Sequence, residues 1–192
     1  MIKVGFVINF DPKKWLGGYN FIINLIKSLS LIKNKKINPV LIVNKNFNTN
    51  NIKKLNAEII KTDFFYNQGF FKRIFNKILI ILFGRSYLYD NFFKKLKIQV
   101  LSHASFFLGE KSHIKSFPWI PDFQFYHYPN NFSLKNRILK RINILLMGYC
   151  STKIILSSKS AKNDLKIIST KAYEKSLVNS FVFYKIEKKN DT

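Results

Sequence analysis

Residues 117–133, Phe-Pro-Trp-Ile-Pro-Asp-Phe-Gln-Phe-Tyr-His-Tyr-Pro-Asn-Asn-Phe-Ser, concentrate groups able to do chemistry. A carboxylate (Asp122), a carboxamide (Gln124) and an imidazole (His127) follow an apolar run, Phe117 to Ile120, that reads as a short buried strand ended by Pro121. They fall on an irregular aromatic loop, and Ser133 is placed to cap a following helix. Loops leaving buried strands are where open α/β sheets place ligands. On chemistry alone, a proline-pinned turn with satisfied polar groups fits equally well.

Metal and nucleophile chemistry have little to work with. None of the three histidines, His103, His113 and His127, has metal-ligand spacing, and the single cysteine, Cys150, excludes an internal disulfide framework and a cysteine-cluster zinc site. Cys150 lies among apolar residues at a helix end and reads as inert core. His113 sits in a polar loop and reads as surface, whereas His103 ends a strand and stands between core hydrogen-bonder and site member.

A second stretch is Gly17-Gly18. Ile2 to Phe10 is an apolar, β-branched run that suits a buried parallel strand; Asp11-Pro12 breaks it, and Lys13 to Gly18 form a loop. From Tyr19 to Leu31 apolar residues recur at helical spacing (Phe21, Leu25, Ile26, Leu29, Ile32). Strand, glycine loop and helix start can together face an anion. The spacing is neither G-x-G-x-x-G nor a P-loop, so in isolation a plain tight turn is the stronger reading.

The remaining elements must position these groups. Strands are expected at Pro39 to Val43, Ala57 to Lys61, Ile98 to Leu101, Ser116 to Ile120, Thr152 to Leu156 and Leu177 to Phe183. Helices are expected at Ile52 to Leu55 (short), Tyr87 to Leu96, Leu134 to Tyr149, with Ile138, Ile142, Leu145 and Leu146 on its apolar face, and from the Ser157-Ser158 cap to about Ile168. The alternation predicts an α/β fold: a single Rossmann-like domain over residues 1–184, a mostly parallel sheet flanked by helices, and a polar tail at 185–192.

Net charge is +23, and two explanations are open. Lysine, asparagine, isoleucine and phenylalanine share AT-rich codons, and Arg73, Arg85, Arg137 and Arg141 are the only arginines, as compositional drift would produce. The other explanation is a basic surface for anionic lipid. Scattered lysines argue against nucleic acid, which favours clustered arginine with interleaved aromatics. Gly69 to Phe83 sharpens the question: it is apolar over a wide arc yet carries Lys72, Arg73 and Lys77, and it fits either a core helix or a basic amphipathic helix on an anionic membrane. It is too short and too charged to span a bilayer. Met1 leads directly into a strand-like run without a signal-peptide pattern, so the expected location is cytoplasmic, at the inner membrane face if the basic helix binds lipid.

Trp15-Leu16-Gly17-Gly18-Tyr19-Asn20 with Asn24-Leu25 resembles the N-terminal glycine motif of family-4 glycosyltransferases of the GT-B type, and Trp119-Ile120-Pro121-Asp122-Phe123-Gln124 through Pro129 to Phe132-Ser133 is similar to a second motif of that group. Leu101-Ser102-His103 and Ser157-Ser158 with Asp164 fall in the expected order. The resemblance implies half of a GT-B fold, the N-terminal domain that holds the acceptor. It implies substrate-binding roles for Gly17, Gly18, Asn20, His103, Asp122, Gln124 and His127, with no catalytic acid or base and no metal. The implied partner is a glycan or glycolipid acceptor. No cofactor is implied for this domain: a nucleotide-sugar donor is expected only with a second, separately encoded or lost donor-binding domain. The family's donor-side Glu-x7-Glu is not found, since Glu174 and Glu187 are thirteen apart. Phe125 stands where the family usually has histidine, and Asn130 where it often has an acid. A catalytically silent module that recruits a glycan, a partner or an anionic membrane is the alternative.

Overall fold

The computed structural model describes residues 1–34, 36–52, 55–65 and 69–180, apart from the side chains of residues 51, 70 and 73. Among these residues seven strands form one sheet: β1 (Ile2–Val7), β2 (Ile37–Val43), β3 (Glu58–Lys61), β4 (Val100–Ala104), β5 (Lys115–Ile120), β6 (Ile154–Leu156) and β7 (Ser176–Val178). Their order is β3-β2-β1-β4-β5-β6-β7, and every pairing is parallel. The helices are α1 (Leu16–Ser30), α2 (Phe70–Phe83), α3 (Tyr87–Lys95), α4 (Gln124–His127), α5 (Leu134–Cys150), α6 (Lys159–Ile168) and α7 (Thr170–Glu174). The expected α/β class and the single Rossmann-like architecture are what the structure has. Strand order runs outward in opposite directions from β1 and β4, which makes their carboxyl ends the switch point where such sheets open a crevice.

Buried parallel strands need apolar side chains on both faces, and β2 shows it. Leu41 and Val43 join one cluster with Phe6, Ile22 and Ile26, while Val40 and Ile42 join the opposite one with Phe93, Leu101 and Leu108. A third cluster, including Ile144, Met147, Leu156, Leu165 and Ala172, fills the space around β6. Each fully buried Phe, Leu or Ile here contributes about 1.5–3 kcal/mol. Serines start four helices by accepting a backbone N–H: Ser86 from Tyr89, Ser133 from Asn136, Ser158 from Ala161 and Ser169 from Ala172.

Several expectations are corrected. β1 ends at Val7, not Phe10. Of the short helix expected at Ile52 to Leu55, residues 53 and 54 lie outside the described residues, and a 3-10 turn precedes them at Asn50–Ile52; α7 fills a stretch for which no element was expected. Of the last expected strand, Leu177 to Phe183, residues 177 and 178 pair with β6 as part of β7, and residues 179–180 are not strand; residues 181–183 and the tail lie outside the described residues. The apolar face expected for α5 is largely not its buried face. Ile138, Ile142 and Leu145 are exposed, Leu146 is partly buried against the core, and the buried residues are Ile144, Met147, Gly148 and Cys150. The first half of α5, residues 134–142, buries no side chain, because only its second half packs against α7 and β6. Burial pushes the Cys150 thiol up, in keeping with inert core.

Candidate functional site

The site is built around a distortion of the two central strands. Pro118 has no N–H to give the ladder, and it stands in β5 between two neighbours. Opposite it, β4 slips: Ser102 pairs with Phe117 and Ala104 with Pro118, leaving His103 as the extra residue. His103 takes φ 55°, a left-handed conformation uncommon for a residue with a side chain. The sequence-predicted strand end at Ser102-His103 is therefore a bulge inside β4.

The bulge turns the imidazole into an aromatic nest. Its ring lies 5.2 Å from Phe21, 5.7 Å from Trp119 and 6.2 Å from Phe6, measured between centroids. Nδ1 is 2.8 Å from Ser102 Oγ, while Nε2 is buried with no hydrogen-bond partner among the described residues. Only 5% of the residue is exposed, and burial lowers its pKa to about 4. At neutral pH the ring is uncharged. It can hydrogen-bond a hydroxyl but brings no positive charge to a phosphate.

From there a stack leads to the surface. Phe21 lies 4.6 Å from Trp119, and Trp119 lies 5.4 Å from Trp15, which also touches Phe10 at 4.7 Å. Trp119 is fixed by donating its Nε1–H to Ser157 Oγ at 2.9 Å. So only Ser158 of the Ser157-Ser158 pair caps α6; Ser157 orients the tryptophan. Trp15, 37% exposed, is the outer ring of the stack.

Gly17 and Gly18 do not form a loop, as the sequence suggested: they lie in the first turn of α1. A Cβ on Gly18 would come within 2.5 Å of the Trp15 ring, whereas one on Gly17 would meet nothing within 4 Å. The space at Gly18 is thus taken by Trp15, and only Gly17 keeps an open backbone. Trp15 supplies no side-chain cap to α1, and no acid occupies its first turn. Asn20 is exposed on the same helix.

The 122–127 segment is also more ordered than an irregular loop. Asp122 Oδ1 accepts at 3.2 Å from the N–H of Gln124, the first residue of α4. Phe123 and Phe125 are buried beneath it, while Asp122, Gln124 and His127 are exposed. His127 Nε2 lies 2.9 Å from Asp164 Oδ2 on α6. Among the described residues, no hydrogen bond, ion pair or ring contact joins Asp122, Gln124 or His127 to His103 or Trp15.

The predicted residues therefore fall into two groups. Gly18 and His103 meet through Trp15 and Trp119, with Gly17 and the exposed Asn20 beside them on α1; Asp122, Gln124 and His127 lie on a separate segment, tied to α6 through His127. Trp15 as the outer ring, Ser157 as the Trp119 acceptor and Asp164 as the His127 partner were not foreseen in those roles. A glycine three residues after a tryptophan was the available signal, since a missing side chain on a helix leaves room for a ring.

Among the described residues, no group of three or more His, Cys, Asp or Glu is placed to hold a metal, and no helix is long and apolar enough to cross a membrane. A cavity of about 830 Å³ opens near the amino ends of β1 and β4, lined by Lys3, Arg85, Asp90, Lys94, Lys97 and His113, away from both groups. The fold and site together define a Rossmann-like α/β domain with an aromatic nest at its switch point. No protein-family model matches the chain, and no curated protein matches it significantly.

Proposed function

We propose that the chain is the acceptor-side half of a GT-B-type glycosyltransferase of the family-4 kind. It would hold a cell-surface polysaccharide or glycolipid acceptor while a second domain supplies the nucleotide-sugar donor. One observation carries this reading: the two stretches that resemble the family's motifs are joined in space, Trp15 stacked on Trp119 at 5.4 Å, beside a neutral His103 at the switch point. A sugar offers an apolar ring face and hydroxyls. The exposed Trp15 ring suits the first and polar groups at the crevice suit the second. Transfer with retention asks this half for positioning more than for acid or base, which agrees with an uncharged imidazole.

The test is an oligosaccharide array probed with the whole chain, followed by calorimetry on any glycan retained. Binding should weaken at least about tenfold in both Trp15→Ala and His103→Ala, the loss of a stacked ring and of a buried polar partner. Retention of no glycan, or binding by both variants as tight as that of the unmodified chain, overturns the reading. Micromolar affinity for a UDP- or GDP-sugar would falsify the assignment to the acceptor side.

A further inference from the structure

We infer that the outer faces of α2 and α5 together form a docking surface for an anionic lipid bilayer. The helix α2 is inverted relative to an ordinary core helix. Among its described side chains only Asn76 and Ile80 are buried, and Asn76 Oδ1 is held there by the Ser86 hydroxyl. Its large apolar side chains point outward, Phe75 at 61% exposure, Leu82 at 68% and Ile78 besides. On α5, Ile138, Leu139 and Ile142 are likewise exposed.

The two helices adjoin. Lys77 Nζ donates to Asn143 Oδ1 at 3.3 Å, and Ile80 and Ile144 share one cluster. Helical periodicity places Ile74 and Ile81 on the Lys77 side of α2 and Leu139 on the Asn143 side of α5, so the apolar rows flank the contact. Isolated exposed apolar residues need no explanation, but two adjoining rows do.

Charge selects the occupant. Three basic residues lie on α2 (Lys72, Arg73, Lys77) and four on α5 (Lys135, Arg137, Lys140, Arg141), with no acid on either helix. Three of the four arginines in a lysine-rich chain are therefore on these helices, which drift does not explain. A second copy of the face would set like charges against each other, and the core of a protein interface is depleted in lysine. An anionic headgroup layer takes the cations while acyl chains take the apolar rows, and long basic side chains reach back to the headgroups. Helices of fourteen and seventeen residues are about 21 and 25 Å long, dimensions suited to lying in the interface. This inference does not rest on glycan binding, which has its own readout.

The experiment is sedimentation of the full chain with phosphatidylcholine vesicles, with and without about 30% phosphatidylglycerol, at low and raised salt. The chain should pellet with the anionic vesicles, and raised salt should release it. The double variants Phe75→Ser/Leu82→Ser and Lys72→Glu/Arg137→Glu should each bind at least about tenfold more weakly, with helix content unchanged by circular dichroism. The comparison of neutral with anionic vesicles needs no variant. A chain that stays in the supernatant, binds both vesicle types equally, or pellets equally as either double variant overturns the inference. So does a dimer in ultracentrifugation that Phe75→Ser/Leu82→Ser dissociates while vesicles go unbound.

Discussion

The helices α1 and α2 are nearly the same length and similarly apolar, yet they use their side chains in opposite ways. α1 lies on the sheet and buries Phe21, Ile22, Ile23 and Ile26 against β1, β2 and β5 residues. α2 touches the core through Ile80 and the polar Asn76, and turns its apolar rows outward. Apolar content therefore does not decide which face is inside. For α1 the adjoining strands set the inward face. For α2, a left-handed Gly84 ends the helix, Ser86 starts the next, and the Ser86 hydroxyl draws Asn76 in. An outward apolar stripe with interleaved lysines is an arrangement that an interface, not a core, stabilises.

The sharpest way to break this contrast is to truncate one leucine-sized residue on each helix. Ile26→Ala on α1 removes a side chain with no exposure and should cost about 2–5 kcal/mol by urea unfolding. Leu82→Ala on α2 should stay within about 0.5 kcal/mol in the absence of lipid. Equal costs would mean that α2 packs against the body of the protein after all, and the distinction between the two helices would fall.

The same contrast marks how far sequence alone reaches. Strands were legible because unbroken apolar runs such as 40–43 bury both faces, and the α/β class follows from their alternation with helices. The facing of α2 and of the first half of α5 was not legible. A wide apolar arc with lysines fits a core helix or an interfacial one, and Ile138 and Ile142 share a row whether or not anything covers them. At the site, His103 and the motif around Trp119 could be picked out by residue type. Their geometry could not: the bulge arises from Pro118 on the neighbouring strand, and the space at Gly18 is filled by a ring three residues earlier. Asp164 gave no hint that it would meet His127, 37 positions earlier in the chain.

The inward side of the comparison has a pH signature. The His103 imidazole takes up its proton near pH 6.5 when exposed and near 4 in the fold, because burial opposes the charge. Between these values the unfolded chain holds more protons, so stability falls as pH drops from about 6.5 to about 4. A gap of that size corresponds to about 3 kcal/mol. His103→Asn tolerates the left-handed backbone and does not titrate. Its unfolding free energy should lose about that much less than wild type between pH 7 and 4. Parallel pH profiles for the two proteins would show that the imidazole is not enclosed as described.

The smallest effect separates two adjacent glycines at the start of α1. Both lie in the first turn, where alanine is the better helix former by about 0.5–1 kcal/mol. At Gly17 the added methyl meets nothing within 4 Å, so Gly17→Ala should stabilise the protein by up to that amount. At Gly18 the methyl would sit 2.5 Å from the Trp15 ring. The ring must swing off Trp119, and the lost stacking should outweigh the helix gain, leaving a net cost of about 1 kcal/mol. The near-ultraviolet circular dichroism band from the Trp15–Trp119 pair should collapse in Gly18→Ala and persist in Gly17→Ala. Since Trp15 is also the ring proposed to receive a sugar, Gly18→Ala tests the site without removing any group that would contact it. Two variants with the same stability and the same dichroism would show that Trp15 is not held against α1, and an outer ring that is not held has no fixed face to offer a ligand.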